Sequence, residues 1–237
     1  MIKGFDALPK RFYKTVSVAP DGDGFAVQLD GRTPKSPAKS PLVLPTRALA
    51  QLIAAEWDAQ DQVINLATMT ATRRAFTAID QIPPARAAVA DEVAHYAGSD
   101  VLCYFADEPR ALVEREEAQW LPILAWAKDE LGLELERASG IVHRPQPAAT
   151  LERAKALALA ADDMTLTALA EATALFGSAV LALAVQRGRL DAEAALDLSR
   201  LDEIFQIEQW GVDDEAAERI EGHRAEARGL QMWFEAL

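Results

Sequence analysis

The apolar residues of this chain change their spacing at Pro45, and that change decides the fold class. Before Pro45, polar and apolar residues alternate over residues 13–18 and 25–29, as expected of strands that bury one face. Asp30-Gly31 follows and is typical of a two-residue hairpin turn, because both turn positions need positive φ. After Pro45 the spacing becomes helical. The sequence therefore predicts an α+β protein, with a small antiparallel β unit at the amino terminus followed by a larger, mostly helical region.

The same change of spacing predicts two domains. Residues 1–45 form the antiparallel β domain and residues 46–237 the helical domain. Residues 133–143 alternate again, which leaves open their pairing with the amino-terminal sheet. Residues 101–106 form an apolar run that fits either a helix or a strand.

The run Met164–Val185 is almost continuously apolar and long enough to span a bilayer. It is rich in alanine, which gains little from lipid, and a carboxylate such as Glu171 in mid-span costs roughly 3 kcal/mol. We therefore predict that the run is the central helix of the carboxy-terminal region, with Glu171 at a surface or beside a partner. A peripheral membrane protein that uses this run remains an alternative.

Charge and cysteine content narrow the classes of function. The net charge of −13, from 24 basic and 37 acidic residues, repels phosphate backbones, so nucleic-acid binding is not expected. A basic protein surface would be attracted. The single cysteine, Cys103, cannot form an internal disulfide, and the first residues show no signal or transit character. We expect a soluble, cytoplasmic protein without membrane insertion.

Few side chains are arranged for chemistry. The histidines at positions 95, 143 and 223 lack the spacing of a metal site, and Cys103 lies in an apolar run where a thiol is inert. Asp21-Gly-Asp-Gly24 begins like a calcium loop but lacks oxygen ligands at the fifth and twelfth positions. No catalytic residue, cofactor, metal or small-molecule substrate is predicted. Scattered carboxylates leave an acid/base enzyme as an alternative, which a concave pocket around a buried acid of raised pKa would support.

One basic tract stands out in this acidic chain. Arg32, Lys35 and Lys39 fall within eight residues that include no acid. Such a tract can hold an anion or an acidic partner, and it can equally be a solvated loop. The sequence leaves both interpretations open.

Five stretches, taken together and in this order, resemble the mitochondrial-type ATP synthase F₁ assembly factor 2 family, whose members are chaperones of the α subunit in mitochondria and some bacteria. They span nearly the whole chain: Arg11-Phe-Tyr-Lys14 with Val16-Ser-Val18; Leu29-Asp-Gly-Arg-Thr-Pro-Lys35 through Leu44-Pro45 to Glu56-Trp57; Met69 to Asp80; Tyr96, Ser99-Asp100 and Leu102-Cys-Tyr104 with Trp120, Pro122 and Trp126; and Leu198-Ser-Arg-Leu201 with Phe205-Gln206 and Trp210-Gly211.

The resemblance implies a chaperone that is not an enzyme. It would hold a newly folded ATP synthase F₁ α subunit before the β subunit arrives, and cover a surface that would otherwise self-associate. Three positions depart from the family pattern: Thr70 replaces a usual proline, Glu116 a usual glutamine, and Asp202 a frequent glutamate. A generic protein-interaction module remains an alternative.

The resemblance also points to a partner-binding site, because the family treats the acidic residue after Leu-Ser-Arg-Leu as functional, and here that residue is Asp202. On a predicted helix over 191–210, Gln206 and Gln209 lie at i+4 and i+7 from Asp202, and Ser199 lies one turn earlier. We expect Asp202 to pair with a basic or backbone-donor group of the α subunit, helped by Gln206.

Two tryptophans are predicted to be structural. Trp57 ends an apolar helical stripe that begins at Leu49, and Trp120 begins another that continues through Leu124.

Overall fold

The computed structural model describes residues 8–140, 144–211 and 214–237. Near the amino terminus, β1 (Val16–Asp21), β2 (Gly24–Leu29) and β3 (Val43–Leu44) form an antiparallel sheet in the order β1-β2-β3. Asp30 and Gly31 have φ of 49° and 77° and form the predicted turn after β2. Leu29 and Arg32 close this turn with backbone bonds of 2.8 and 3.0 Å. The predicted α+β class is confirmed.

The rest of the described chain is mainly helical. The helices are α1 (Arg47–Asp58), α2 (Thr70–Asp80), α3 (Ile82–Ala97), α4 (Arg110–Trp126), α5 (Ala148–Ala160), α6 (Asp163–Phe176), α7 (Ala179–Gln186), α8 (Ala192–Ser199), α9 (Leu201–Trp210) and α10 (Asp214–Ala236). Pro122 lies inside α4, which continues into a wider turn over Ala127–Leu131 and ends at Gly132 with a φ of 70°.

The amino-terminal compact unit extends to Pro83 and includes Glu235–Leu237. It reaches past residue 45 because α1 packs on β1 and β2. The hydroxyl of Thr46 caps α1 by accepting the N–H of Leu49 at 3.1 Å. At the other end of α1, Trp57 is buried and its carbonyl accepts the Tyr13 hydroxyl at 2.6 Å.

The second compact unit, Pro84–Phe234, contains a separate two-stranded parallel sheet. Residues 101–106, left open by the sequence, form a short 3-10 turn over Val101–Cys103 followed by β4 (Tyr104–Phe105). β4 pairs with β5 (Ala138–Ser139), so the described part of residues 133–143 does not join the amino-terminal sheet. That possibility was wrong for these residues, because alternation shows a strand's buried face and not its partner. Residues 141–143 lie outside the described chain.

The apolar run Met164–Val185 is two helices, α6 and α7, where one was predicted. Gly177 ends α6 with a φ of 61°, a conformation that favours glycine, and the Ser178 hydroxyl caps α7 by accepting the Leu181 N–H at 2.9 Å. The run is largely buried, as predicted, and Glu171 is exposed. None of the described helices has the length and apolar character to cross a membrane.

Candidate functional site

The predicted helix over 191–210 is also two helices, and the break lies within the predicted site. Arg200, with φ −121° and ψ 26°, ends α8 and precedes α9. A single helix was wrong here because the apolar spacing runs through the break without a glycine or proline to mark it. Ser199 therefore closes α8, where it is half-buried and its hydroxyl donates to the Leu196 carbonyl at 2.8 Å.

The other three predicted site residues are exposed together on α9. Asp202, Gln206 and Gln209 all face solvent, and Trp210 beside them is 85% exposed. At 3.6 residues per turn, these four positions fall within an arc of about 100°. We call Asp202, Gln206, Gln209 and Trp210 the α9 face. On the rest of α9, Leu201 is buried and Phe205 is half-buried; Leu198, on α8, is also half-buried.

Helix α4 packs against α9. The Trp120 side chain is 1% exposed, and its indole N–H donates to the Leu198 carbonyl at 2.9 Å, close to the junction of α8 and α9. Arg115 on α4 donates two hydrogen bonds to the Glu208 carboxylate, at 2.6 and 3.0 Å. These bonds lower the pKa of Glu208. This bidentate pair of partly exposed side chains links α9 to α4.

A buried carboxyl lies beneath Asp202. Glu116 on α4 is fully buried, and its Oε2 accepts the Ala106 N–H at 2.8 Å. The carboxyl of Asp202 lies beside that of Glu116, and no donor group of the described residues reaches the buried Oε1 of Glu116. Burial, and then the neighbouring Asp202 carboxyl, raise the pKa of Glu116 to about 7.

Sequence reasoning missed Trp210 and Glu116 as site residues. Trp210 appeared only as part of a family stretch, and Glu116 only as a departure from the family's glutamine. A signal for Glu116 was available, because it lies at i+4 from Leu112 and i−4 from Trp120 on the stripe that α4 buries. A carboxyl on such a stripe requires a proton or a partner.

The basic tract forms a loop anchored by Asp80. The Ser36 hydroxyl and the Ala38 N–H donate to the Asp80 carboxylate at 2.6 and 2.9 Å. These bonds lower the pKa of Asp80. The side chains of Arg32, Lys35 and Lys39 are exposed. Their role as partner contacts stays a prediction.

Cys103 and the described histidines offer no reactive arrangement. Burial raises the pKa of the Cys103 thiol, which disfavours the nucleophilic thiolate. Within residues 8–140, 144–211 and 214–237, no cluster of histidine, cysteine, aspartate or glutamate is arranged to hold a metal ion. His143 lies outside these ranges.

Buried acids of raised pKa, expected of an acid/base enzyme, occur in this protein. Besides Glu116, Asp100 is fully buried, which raises its pKa to about 6. Asp100 accepts the backbone N–H groups of Leu102 and Val180 at 3.2 and 3.1 Å and so joins two chain segments. An open groove of about 360 Å³ lies between β1 and α1, and a hollow of about 20 Å³ lies between α8, α9 and α10. Neither acid lines either concavity.

Comparison with known proteins gives consistent matches. Residues 10–128 match the family described as ATP12 chaperone protein. The chain is 24% identical over 221 residues to Protein atp12, mitochondrial, of Schizosaccharomyces pombe, covering 88% of this chain and 76% of that protein. The crystal structure of Atp12 from Paracoccus denitrificans matches with a TM-score of 0.90 at 40% identity, covering 96% of this chain and 98% of that one. Its D202K mutant matches with a TM-score of 0.91 at 40% identity, covering 96% and 97% of the two chains.

Proposed function

This chain belongs to the ATP12 chaperone family, and we propose that it serves ATP synthase assembly by binding the F₁ α subunit before the β subunit pairs with it. We propose the α9 face as the contact surface. The observation that supports this most is the exposure of Trp210 on the same helix face as Asp202. Exposure of an indole to water is unfavourable in free energy, and a partner that buries the indole removes this penalty.

The chemistry of the α9 face suits a protein partner. Interfaces combine a few large anchors, tryptophan above all, with polar groups around them. Trp210 supplies the anchor, Gln206 and Gln209 supply donors and acceptors, and Asp202 supplies a charge. A newly folded subunit whose apolar interface is still uncovered aggregates, and a chaperone with this face would cover part of it.

Electrostatics adds a preference for a basic partner surface. The chain carries a net charge of −13, which speeds encounter with a positively charged surface and slows encounter with an acidic one. At the α9 face, the complement of Asp202 is a cationic side chain or a backbone N–H group. The expected interface therefore weakens as salt concentration rises.

Aggregation of purified α subunit, followed by light scattering, tests the proposal. An equimolar amount of this protein should suppress the scattering. When β subunit is added afterwards, it should pair with the α subunit without renewed scattering. Serum albumin at the same concentration controls for non-specific protection. Scattering as strong as with albumin would refute the proposed function.

Trp210 should be an anchor for binding and not for folding. Trp210→Ala is expected to weaken α-subunit binding by about 30-fold, or about 2 kcal/mol, with an unchanged melting temperature, because the indole makes little contact within the chain. Titration by isothermal calorimetry measures the loss. Met232→Ala is the matched control, since Met232 is also an exposed apolar side chain, at 50% exposure, but lies on α10. If both variants bind the α subunit with equal affinity, Trp210 is not part of the interface.

A further inference from the structure

We infer that Glu116 is a positioning residue for partner binding: in mildly acidic solution it carries a proton, donates it in a hydrogen bond to the Asp202 carboxylate, and so fixes the orientation of Asp202 on the α9 face. The inference rests on the proposed function, because it takes Asp202 to be a contact residue. The inference extends the proposed function in two ways. It assigns a role in binding to a residue that does not touch the partner, and it makes binding depend on pH.

The proton follows from the surroundings of the Glu116 carboxyl. Oε2 of Glu116 is already an acceptor for the Ala106 N–H. Oε1 is buried, and within the described parts of the chain no N–H or O–H group donates to it. The group in contact with Glu116 from α9 is another carboxyl, that of Asp202. Two carboxyls can form a hydrogen bond only when one of them holds a proton.

The proton resides on Glu116 because of the difference in exposure. Glu116 is fully buried, whereas Asp202 is exposed to water that stabilises its charge. Desolvation therefore penalises the Glu116 anion much more than the Asp202 anion. The rise in the pKa of Glu116 to about 7 agrees with this assignment.

The other charged groups near the pair are engaged elsewhere or do not titrate near neutral pH. On α9, Glu208 is paired with Arg115, and Glu203 is paired with Arg219 at 2.7 Å. On β4, burial raises the pKa of Tyr104 above its ordinary value of 10. Helix α7, which also packs on α4, has no titratable side chain. Within the pair, Glu116 is the carboxyl whose pKa lies between pH 6 and 8.5.

The sign of the pH effect follows from the proton. Below its pKa, Glu116 is protonated and holds Asp202 in one orientation, so binding has its full strength. As the pH rises through about 7, Glu116 ionises, the two carboxylates repel, and Asp202 loses its support. Affinity for the α subunit should then fall about five- to tenfold between pH 6 and 8.5.

Glutamine is the conservative substitute that separates positioning from charge. In Glu116→Gln, the amide oxygen can accept the Ala106 N–H while the amide N–H donates to Asp202 at every pH. This variant should bind the α subunit as tightly as the native chain at pH 6 and keep that affinity at pH 8.5. Glu116→Ala should bind weakly at both values, because nothing then orients Asp202.

The experiment measures the affinity of the native chain, Glu116→Gln and Asp202→Lys for purified α subunit at pH 6 and 8.5. Titration of groups in the α subunit affects the native chain and Glu116→Gln equally. It therefore cancels in the ratio of their two affinities at each pH. The inference is supported if this ratio falls with pH while Asp202→Lys fails to bind. If Asp202→Lys fails to bind but the ratio is constant or rises with pH, the inference alone is overturned. If Asp202→Lys binds normally, the proposed contact surface and the inference both fall.

Discussion

Replacing Leu181 by aspartate should leave no folded protein. Leu181 is fully buried on α7, a helix whose residues Ala179–Val185 are all buried and which packs against α4, α6 and α8. The substitution removes the packing of a leucine, about 3 kcal/mol or more, and introduces a carboxyl without a partner, which costs several kcal/mol again. The sum is comparable to the whole stability of a typical domain, about 5–15 kcal/mol.

Circular dichroism and the yield of soluble protein measure this effect. The matched control is Leu159→Asp, the same change at a leucine that is 38% exposed on α5, which should fold and melt cooperatively. A Leu181→Asp protein that melts within a few degrees of the native chain would contradict the packing described for α7.

Asp202→Lys should abolish useful binding to the α subunit without unfolding the chain. Reversing a charge in an interface leaves the partner's group facing a like charge, and the loss in affinity is expected to exceed about 100-fold. The chain should still fold, because the residue is exposed and a lysine there can pair with Glu116. The D202K mutant of the Paracoccus protein has the same fold as this chain, so that protein tolerates the change at its own position 202.

Affinity and thermal stability must be measured on the same preparation of Asp202→Lys. Glu130→Lys is the control, since it makes the same change in net charge at an exposed acid in the turn that follows α4. Loss of affinity in both variants would indicate a long-range charge effect and not a contact at Asp202. Native affinity in Asp202→Lys would exclude Asp202 from the interface.

The sequence was most informative where apolar residues follow a clear period. Alternation over residues 13–18 and 25–29 predicted β1 and β2, and the Asp30-Gly31 turn is present because both residues adopt positive φ. It was least informative where apolar residues run on without a period, because burial on all sides removes the pattern that marks an end. The break at Gly177 was therefore missed, whereas the break at Arg200 was missed because the apolar spacing continues through it.

The candidate site was predictable only in part. Spacing on one helix, with the family resemblance, brought Asp202, Gln206 and Gln209 together, and all three are exposed on α9. The contact between Glu116 and Asp202 joins residues 86 positions apart in the chain. Such a contact depends on how α4 and α9 pack, which no local pattern encodes.

Size-exclusion chromatography of purified α subunit mixed with this protein tests α-subunit binding most directly. We expect the two to elute together in one peak, and we expect that peak to be lost when β subunit is added, as α and β pair. Separate elution of this protein, with the α subunit alone or aggregated, would contradict the proposed function.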